Sequence, residues 1–404
     1  MANINEFMNK IGCEKWPKRW EEFFEEAVTD FEENGCELLN PEYYDNLHNK
    51  YGILNEFLEC YKLAAKEIAK DKNLSIYLHL WKRAMKDRDK IMSDVYSYSL
   101  PAVPEGLDEI AVNMLCGLAI CSGAEYCHSI LTKRNIPKDM ADHIMNTPEG
   151  GVRRYFERNS GKYGYSLFNW FQLAIDAKLY NINRLEIEVN CPFEFNVRVY
   201  GNEKGEYVTL ADGLDVHESG HILGTLYFED DKNSWRADIT EDDKCICGYA
   251  FREDTLLKKE LIKLNKNEWK ELLRKDDPVV NLHIPASGKF TPEIVDESLK
   301  DIKEFLKKYY PDYKYKAFAC CSWFLDPQNE LLLKKDSNIL HFAKRFTRFT
   351  HKDWGKSAFS FVYQMDNPVI EDLPEKTSLQ RAMKKHFLSG KTIYNVAGYF
   401  FDKQ

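Results

Sequence analysis

The sequence predicts an α+β chain: a helical N-terminal domain over residues 1–148, then a mixed α/β domain with antiparallel hairpins over residues 149–404. Three observations carry this. Apolar residues recur at helical spacing through the first third. Short alternating runs broken by Gly, Asn and Asp follow. From Asp276 onward, strand-like runs alternate with amphipathic helices.

The elements follow in order. Trp16, Trp20, Phe23, Phe24, Ala27, Val28 and Phe31 fall on one helical face, and Gly35 stops the run. A second helix is expected over Asn55–Lys70, a third over Leu74–Tyr96, and a fourth over Leu107–Thr132 after the break "LPAVPEGLDE". Lys138–Asn146, Val152–Arg158 and Ser166–Leu179 read as shorter helices. "RLEIEV", "FEFNVRVY", "EYVTL", "RADIT" and "CICGYAF" alternate with period two and read as strands. "PVVNLHIPA", "YKAFACCSW", "SAFSFVY" and "TIYNVAGYFF" are further expected strands. Pro292–Tyr310, Ser337–Arg348 and Ser378–Leu388 are the intervening helices.

The charge balance is acidic, −9 from 65 Asp and Glu against 56 Lys and Arg, which opposes broad nucleic-acid binding. The apolar stretch near Ile110–Ile120 is interrupted by Asn113 and is too short to span a bilayer. The opening residues lack a signal-peptide pattern, so a cytoplasmic location with no membrane partner is expected. Eleven scattered cysteines without a C-x-x-C pair read as reduced thiols, not as a zinc ribbon.

"GLDVHESGHILGTLYF" (213–228) holds His217-Glu218-x-x-His221, a pattern that on a helix binds zinc, with the glutamate as general base. A zinc metallohydrolase is therefore one reading of the chain. Yet Leu214 and Val216 alternate before the motif, and Ile222, Gly224, Leu226 and Phe228 alternate after it. Three glycines in twelve residues would each cost a helix about 1 kcal/mol. The spacing instead predicts a β-hairpin with Ser219-Gly220 at its tip, and no bound metal. "SGKT" (389–392) ends like a phosphate loop but lacks the first glycine and lies between a helix and a strand, the wrong order.

The segment 277–299 carries the ligand expectation. A strand through His283 leads to a loop with Ser287 and Gly288, then to a helix with Thr291 as N-cap and Pro292 at its first position. Amides and the positive end of such a helix can hold a phosphate or carboxylate. His283 and His341 are candidate bases, because imidazole titrates near neutral pH. Lys344, Arg345 and Arg348 form a basic face.

"VVNLHIPASGKFTPEIVDESL", "YKAFACCSWFLDP" and "DSNILHFAKRF" resemble, in this order, blocks of bacterial acyltransferase domain-containing proteins. That family joins a helical N-terminal domain to a GNAT-like C-terminal domain. The resemblance implies transfer of an acyl group from acetyl-CoA or another acyl-CoA to an amine of a small molecule or peptide. No nucleic-acid partner is expected from the acidic charge balance, and the oligomeric state is left open. The usual pyrophosphate signature is absent; "RNSGKYG" (158–164) comes nearest. The site expectation is His283 as base, Ser322 as donor or orienting group, and Ser287 and Gly288 as the cofactor loop. A catalytically inactive GNAT-like binding protein is the third reading.

Overall fold

Spacing of apolar residues builds the first part of the chain, and the structure, a computed structural model, describes residues 3–229, 232–286, 288–365 and 367–402. Two compact units divide it, Met1–Tyr180 and Asn181–Gln404.

The first unit is helical: α1 (Ile4–Lys10), α2 (Phe24–Asn34), α3 (Pro41–Tyr51), α4 (Leu58–Ile68), α5 (Lys72–Ala84), α6 (Ile91–Val95), α7 (Ile110–Asn113), α8 (Leu115–Cys121), α9 (Ala124–Lys133), α10 (Lys138–Asn146), α11 (Glu149–Arg158) and α12 (Phe168–Ile175). Its aromatic stripes are core. Trp20 meets Trp81 edge-on at 4.9 Å, and Trp81 meets Phe168 at 4.9 Å. The expected helix over 107–132 is three helices, broken at Met114 and at Ser122-Gly123. At Gly123 a Cβ would come within 2.5 Å of Ile175.

The second unit carries the sheets. Its strands are β1 (Leu179–Ile182, straddling the division), β2 (Leu185–Pro192), β3 (Val197–Gly201), β4 (Tyr207–Ala211), β5 (Leu214–Val216), β6 (Trp235–Ala237), β7 (Thr240–Glu241), β8 (Cys245–Phe251), β9 (Leu257–Asn265), β10 (Lys270–Arg274), β11 (Pro278–His283), β12 (Ala317–Ser322), β13 (Thr347–Thr350) and β14 (Val396–Phe400). Its helices are α13 (Pro292–Tyr309), α14 (Asn329–Leu332), α15 (Asn338–Ala343) and α16 (Ser378–Leu388). One six-stranded sheet runs β1-β2-β11-β12-β14-β13, and a second runs β10-β3-β4-β8-β7 with β9 beside β8.

Alternation decides what each face buries. Val279, Ala317, Ala319, Ala397, Tyr399 and Phe349 of the first sheet pack against Val197, Val199 and Leu273 of the second. The 18-residue α13 buries Val295, Ile302, Phe305 and Leu306 and packs over β2. Thr291 caps it and Pro292 begins it, as the sequence predicts.

Two expectations near the C-terminus fail. "SAFSFVY" is not a strand; Phe359–Tyr363 form a π-type helical turn. Phe359 and Tyr363 are four apart, so one helical face carries both onto Phe387. The helix expected to run to Arg348 ends at Ala343, and Thr347–Thr350 pair with β14 as an edge strand. The β-branched Thr347 and Thr350 and the buried Phe349 suit that strand.

Candidate functional site

The candidate site begins with a gap in a ladder. Strands β11 and β12 are parallel and pair at Val279–Ala317, Val280–Phe318 and Asn281–Ala319. Pairing between them stops there, although neither strand does. β11 stays paired with β2 to His283–Glu186, and β12 stays paired with β14 to Ser322–Val396. The sheet is therefore split down its middle. Leu282 and His283 form one lip; Cys320, Cys321 and Ser322 form the other. Beyond Asn281–Ala319 the β11–β12 ladder no longer engages the backbone along the split.

Register and pleat place side chains on these lips. Val279 and Ala317, which pair, lie in one core cluster with Ala319. Continuing the alternation puts His283 and Cys321 on that same face, one per lip. Glu186 and Glu188 of β2 stand opposite His283 and Asn281.

The two lips carry different chemistry. His283 Nε2 lies 3.4 Å from Glu188 Oε2, and Asn281 Nδ2 donates to the same oxygen at 3.4 Å. Burial pushes the Glu188 carboxyl up, but bonds from His283, Asn281 and Cys191 outweigh it and hold the group below its ordinary range. Glu186, without such donors, is pushed up by burial, with His283 opposing. Burial, then the Glu188 charge, raises Glu194. On the other lip, Cys321 Sγ lies 3.0 Å from His351 Nε2. Burial lowers the His351 pKa against the pull of Asp353 and raises that of the Cys321 thiol. The resting pair is therefore a neutral imidazole and a protonated thiol. Cys321 keeps an exposed surface, whereas Cys320 beside it is buried. Phe195 meets the His351 ring edge-on at 5.3 Å. Just beyond, buried Asp353 accepts from Gly355 N at 2.9 Å, Asn395 N at 3.0 Å and Asn395 Nδ2 at 3.0 Å, which fixes this end of the strand pair.

The loop after β11 carries the anion expectation. Gly288 has φ +90°, a conformation that side chains strain to adopt. Ser287 lies outside the described residues. Arg184 flanks this loop: its Nε donates to Lys289 O at 3.1 Å, and its guanidinium covers Phe290 at 4.9 Å. Its Nη1 is buried with no hydrogen-bond partner among the described residues. Arg345 braces the first turn of α13 through Asp296 at 2.5 Å and Pro292 O at 3.4 Å.

Of the sequence candidates, His283 stands on the lip and Gly288 in the following loop. Ser322 ends β12, one residue past Cys321 and hence on the opposite face; its Oγ accepts from Phe324 N at 3.2 Å and caps a short turn. His341 is exposed on α15. The sequence reading missed Glu186, Glu188, Cys321 and His351. The alternation in "RLEIEV" does set both glutamates on one face, a readable signal. Cys321 and His351 lie 30 residues apart in sequence, and no local pattern joins them.

The H-E-x-x-H segment is not helical. Val216 and Ile222 form a bridge, His217 N donates to His221 O at 2.9 Å, and the chain turns at Glu218–Gly220. Gly220 belongs at that tip: its φ is +93°, and a Cβ would strike Leu257 O at 2.3 Å. The predicted hairpin holds for this one bridge; Leu223–Tyr227 then turn again and do not extend as a strand. Ser219 Oγ links His217 Nδ1 at 2.8 Å and His221 Nδ1 at 2.9 Å. Glu218 accepts from Asn233 at 2.8 Å. The helical face that the zinc reading requires is missing.

Comparisons with known proteins agree with this architecture. A family described as "GNAT-like C-terminal domain" matches residues 193–400. An acyltransferase in complex with decanoyl-CoA and teicoplanin superposes with a TM-score of 0.60 at 17% identity, covering 99% of each chain. An acyltransferase mutant in complex with octanoyl-CoA gives a TM-score of 0.60 at 16% identity, again over 99% of each chain. At such identities the likeness is one of fold. Curated protein sequences give no match. Among the described residues, no helix is long and apolar enough to cross a membrane.

Proposed function

The chain belongs to the family of GNAT-like C-terminal domains, and from that membership and the split sheet we propose that it is an acyl-CoA-dependent N-acyltransferase. The acceptor is an amine of a small molecule or peptide. The donor is an acyl-CoA, and the octanoyl- and decanoyl-CoA held by the structural neighbours favour a medium chain over acetyl. The observation that carries this reading is the end of the β11–β12 ladder at Asn281–Ala319 while both strands continue. Strand edges released from the β11–β12 ladder suit the amide-bearing arm of CoA, and a backbone N–H there can polarise a thioester carbonyl.

In this reading His283 takes the proton of the attacking amine, and Glu188 holds the imidazole and balances its charge. Ser322 orients the end of β12 through its cap. Gly288 and Ser287, with the N-terminus of α13 and Arg184 Nη1, which has no hydrogen-bond partner among the described residues, receive the pyrophosphate.

The test is calorimetric titration with octanoyl-CoA and acetyl-CoA, then turnover with a panel of amines. Micromolar binding and amine-dependent release of CoA are expected. His283→Gln should keep that affinity and lose about 10²–10⁴-fold in kcat. Binding without turnover on any amine would make the chain a binding protein. Absence of CoA binding refutes the reading.

A further inference from the structure

We propose that Cys321 is a catalytic nucleophile that carries the acyl group as a thioester between CoA and the acceptor, with His351 as its base. This rests on the acyl-CoA reading above and adds a covalent step to it.

Geometry supplies the argument. A thiol and an imidazole stand 3.0 Å apart, the separation of a nucleophile and its base. The order β12-β14-β13 brings them together, because Cys321 pairs with Ala397 and Ala397 with Phe349, two residues before His351. Cys321 lies on the split and retains exposed surface, whereas its neighbour Cys320 is buried at 1% exposure. Most other cysteines of the chain are also buried. Asp353, held by three donors, fixes the chain two residues beyond His351.

The step balances. His351 Nε2 takes the thiol proton as Cys321 Sγ attacks the thioester carbonyl. The bond from carbonyl carbon to CoA sulfur breaks, and the CoA thiolate recovers the proton from His351. One thioester replaces another, so no oxidant, reductant or further reactant enters. The acceptor amine then attacks the Cys321 thioester from the other lip. His283, paired with Glu188, takes the ammonium proton as the bond from carbonyl carbon to Cys321 Sγ breaks, and that proton passes across the split to the leaving Cys321 thiolate, so the amide leaves and both histidines end neutral. The division of labour follows the division of the sheet: acyl capture on β12, amine deprotonation on β11.

The experiment uses the full chain with octanoyl-CoA and no acceptor, quenched in acid and examined by intact-mass and peptide mass spectrometry. One hydroxylamine-labile octanoyl group per chain, mapped to Cys321, is expected. Cys321→Ala should bind CoA with unchanged affinity, form no adduct and lose amine-dependent turnover. His351→Gln should form the adduct about 10²-fold more slowly. Cys321→Ser tests the nucleophile without removing it: a slower, hydroxylamine-resistant ester is expected. Wild-type turnover without any adduct overturns the proposal, as does an adduct on another cysteine or full turnover by Cys321→Ala. Octanoyl-CoA that binds and turns over by direct transfer leaves the acyltransferase reading standing and removes only the covalent step. A chain that does not bind CoA overturns both.

Discussion

His221 offers the sharpest test of what the H-E-x-x-H segment does. Its ring stacks on Phe228 at 3.8 Å and 9°, and Tyr394 lies 5.9 Å away. Burial, then the neighbouring His217, pushes its pKa down to about 4. The ordinary value is about 6.5. Because the folded value lies below the unfolded one, the unfolded chain binds the proton first as pH falls. Stability is therefore full above about pH 6.5 and declines between about 6.5 and about 4. A shift from about 6.5 to about 4 corresponds to about 3.4 kcal/mol at most. The ring is only partly buried, so solvent screening reduces this to about 1–2 kcal/mol. His221→Gln removes the titration. The assay is urea unfolding of wild type and variant at pH 7.5, 5.5 and 4.5, with NMR titration of the ring carbons as the direct readout. Wild type should lose about 1–2 kcal/mol more than the variant on acidification. Parallel pH profiles for the two proteins would refute the reasoning, as would a His221 titration near its ordinary value. Zinc that binds at one equivalent and is lost in His217→Ala would restore the metal reading.

Two further substitutions probe the loop proposed to hold the pyrophosphate and the helical core. Gly288→Ala should fold but weaken octanoyl-CoA binding up to about 10-fold, because φ +90° costs an alanine about 1–2 kcal/mol although the nearest atom to its Cβ is 3.7 Å away. Unchanged affinity by calorimetry would remove this loop from the CoA site. Asp94, 1% exposed, accepts from Arg19 Nε at 2.8 Å and Trp20 Nε1 at 3.2 Å. Asp94→Ala strands Trp20 Nε1 and leaves Arg19 to Asp87 and Ala84 O, and should cost about 1–3 kcal/mol in urea unfolding followed by tryptophan fluorescence. A loss under about 1 kcal/mol would put the pair with exposed bridges.

What the sequence makes legible depends on how local the signal is. Lys138–Asn146 and Ser378–Leu388 appear residue for residue, because one apolar stripe marks each, bounded by Pro137 before the first and Thr377 before the second. Thr377 and Gln380 even complete a capping box. β9 does not announce itself. "LKKELIKLN" sits at the sheet edge with both faces largely exposed, so its charges mimic a solvated helix and no alternation survives. "SAFSFVY" errs the other way, since a short aromatic run fits a strand or a helical turn equally and only the packing on Phe387 decides. The position of His283 at a strand end and of Gly288 before a capped helix is local and readable. The Cys321–His351 pair is not, because its existence depends on β14 inserting between two strands that precede it in sequence.

The same non-local fact explains why the site sits where it does. In an unbroken parallel pair, neighbouring strands lie about 4.8 Å apart, and His283 and Cys321 would touch with no room for a substrate. Ending the β11–β12 ladder at Asn281–Ala319 forfeits further cross-strand bonds, at about 1 kcal/mol for each bond lost. The outer ladders to β2 and β14 continue through the gap, so each lip stays a rigid strand and not a loop. Side chains held on rigid strands keep their partners: His283 its glutamate at 3.4 Å, Cys321 its histidine at 3.0 Å. The split thus parts two preorganised side-chain pairs that the outer ladders hold, one on each lip. Closing it with a continuous ladder would raise the stability of the sheet and bring the two pairs into contact.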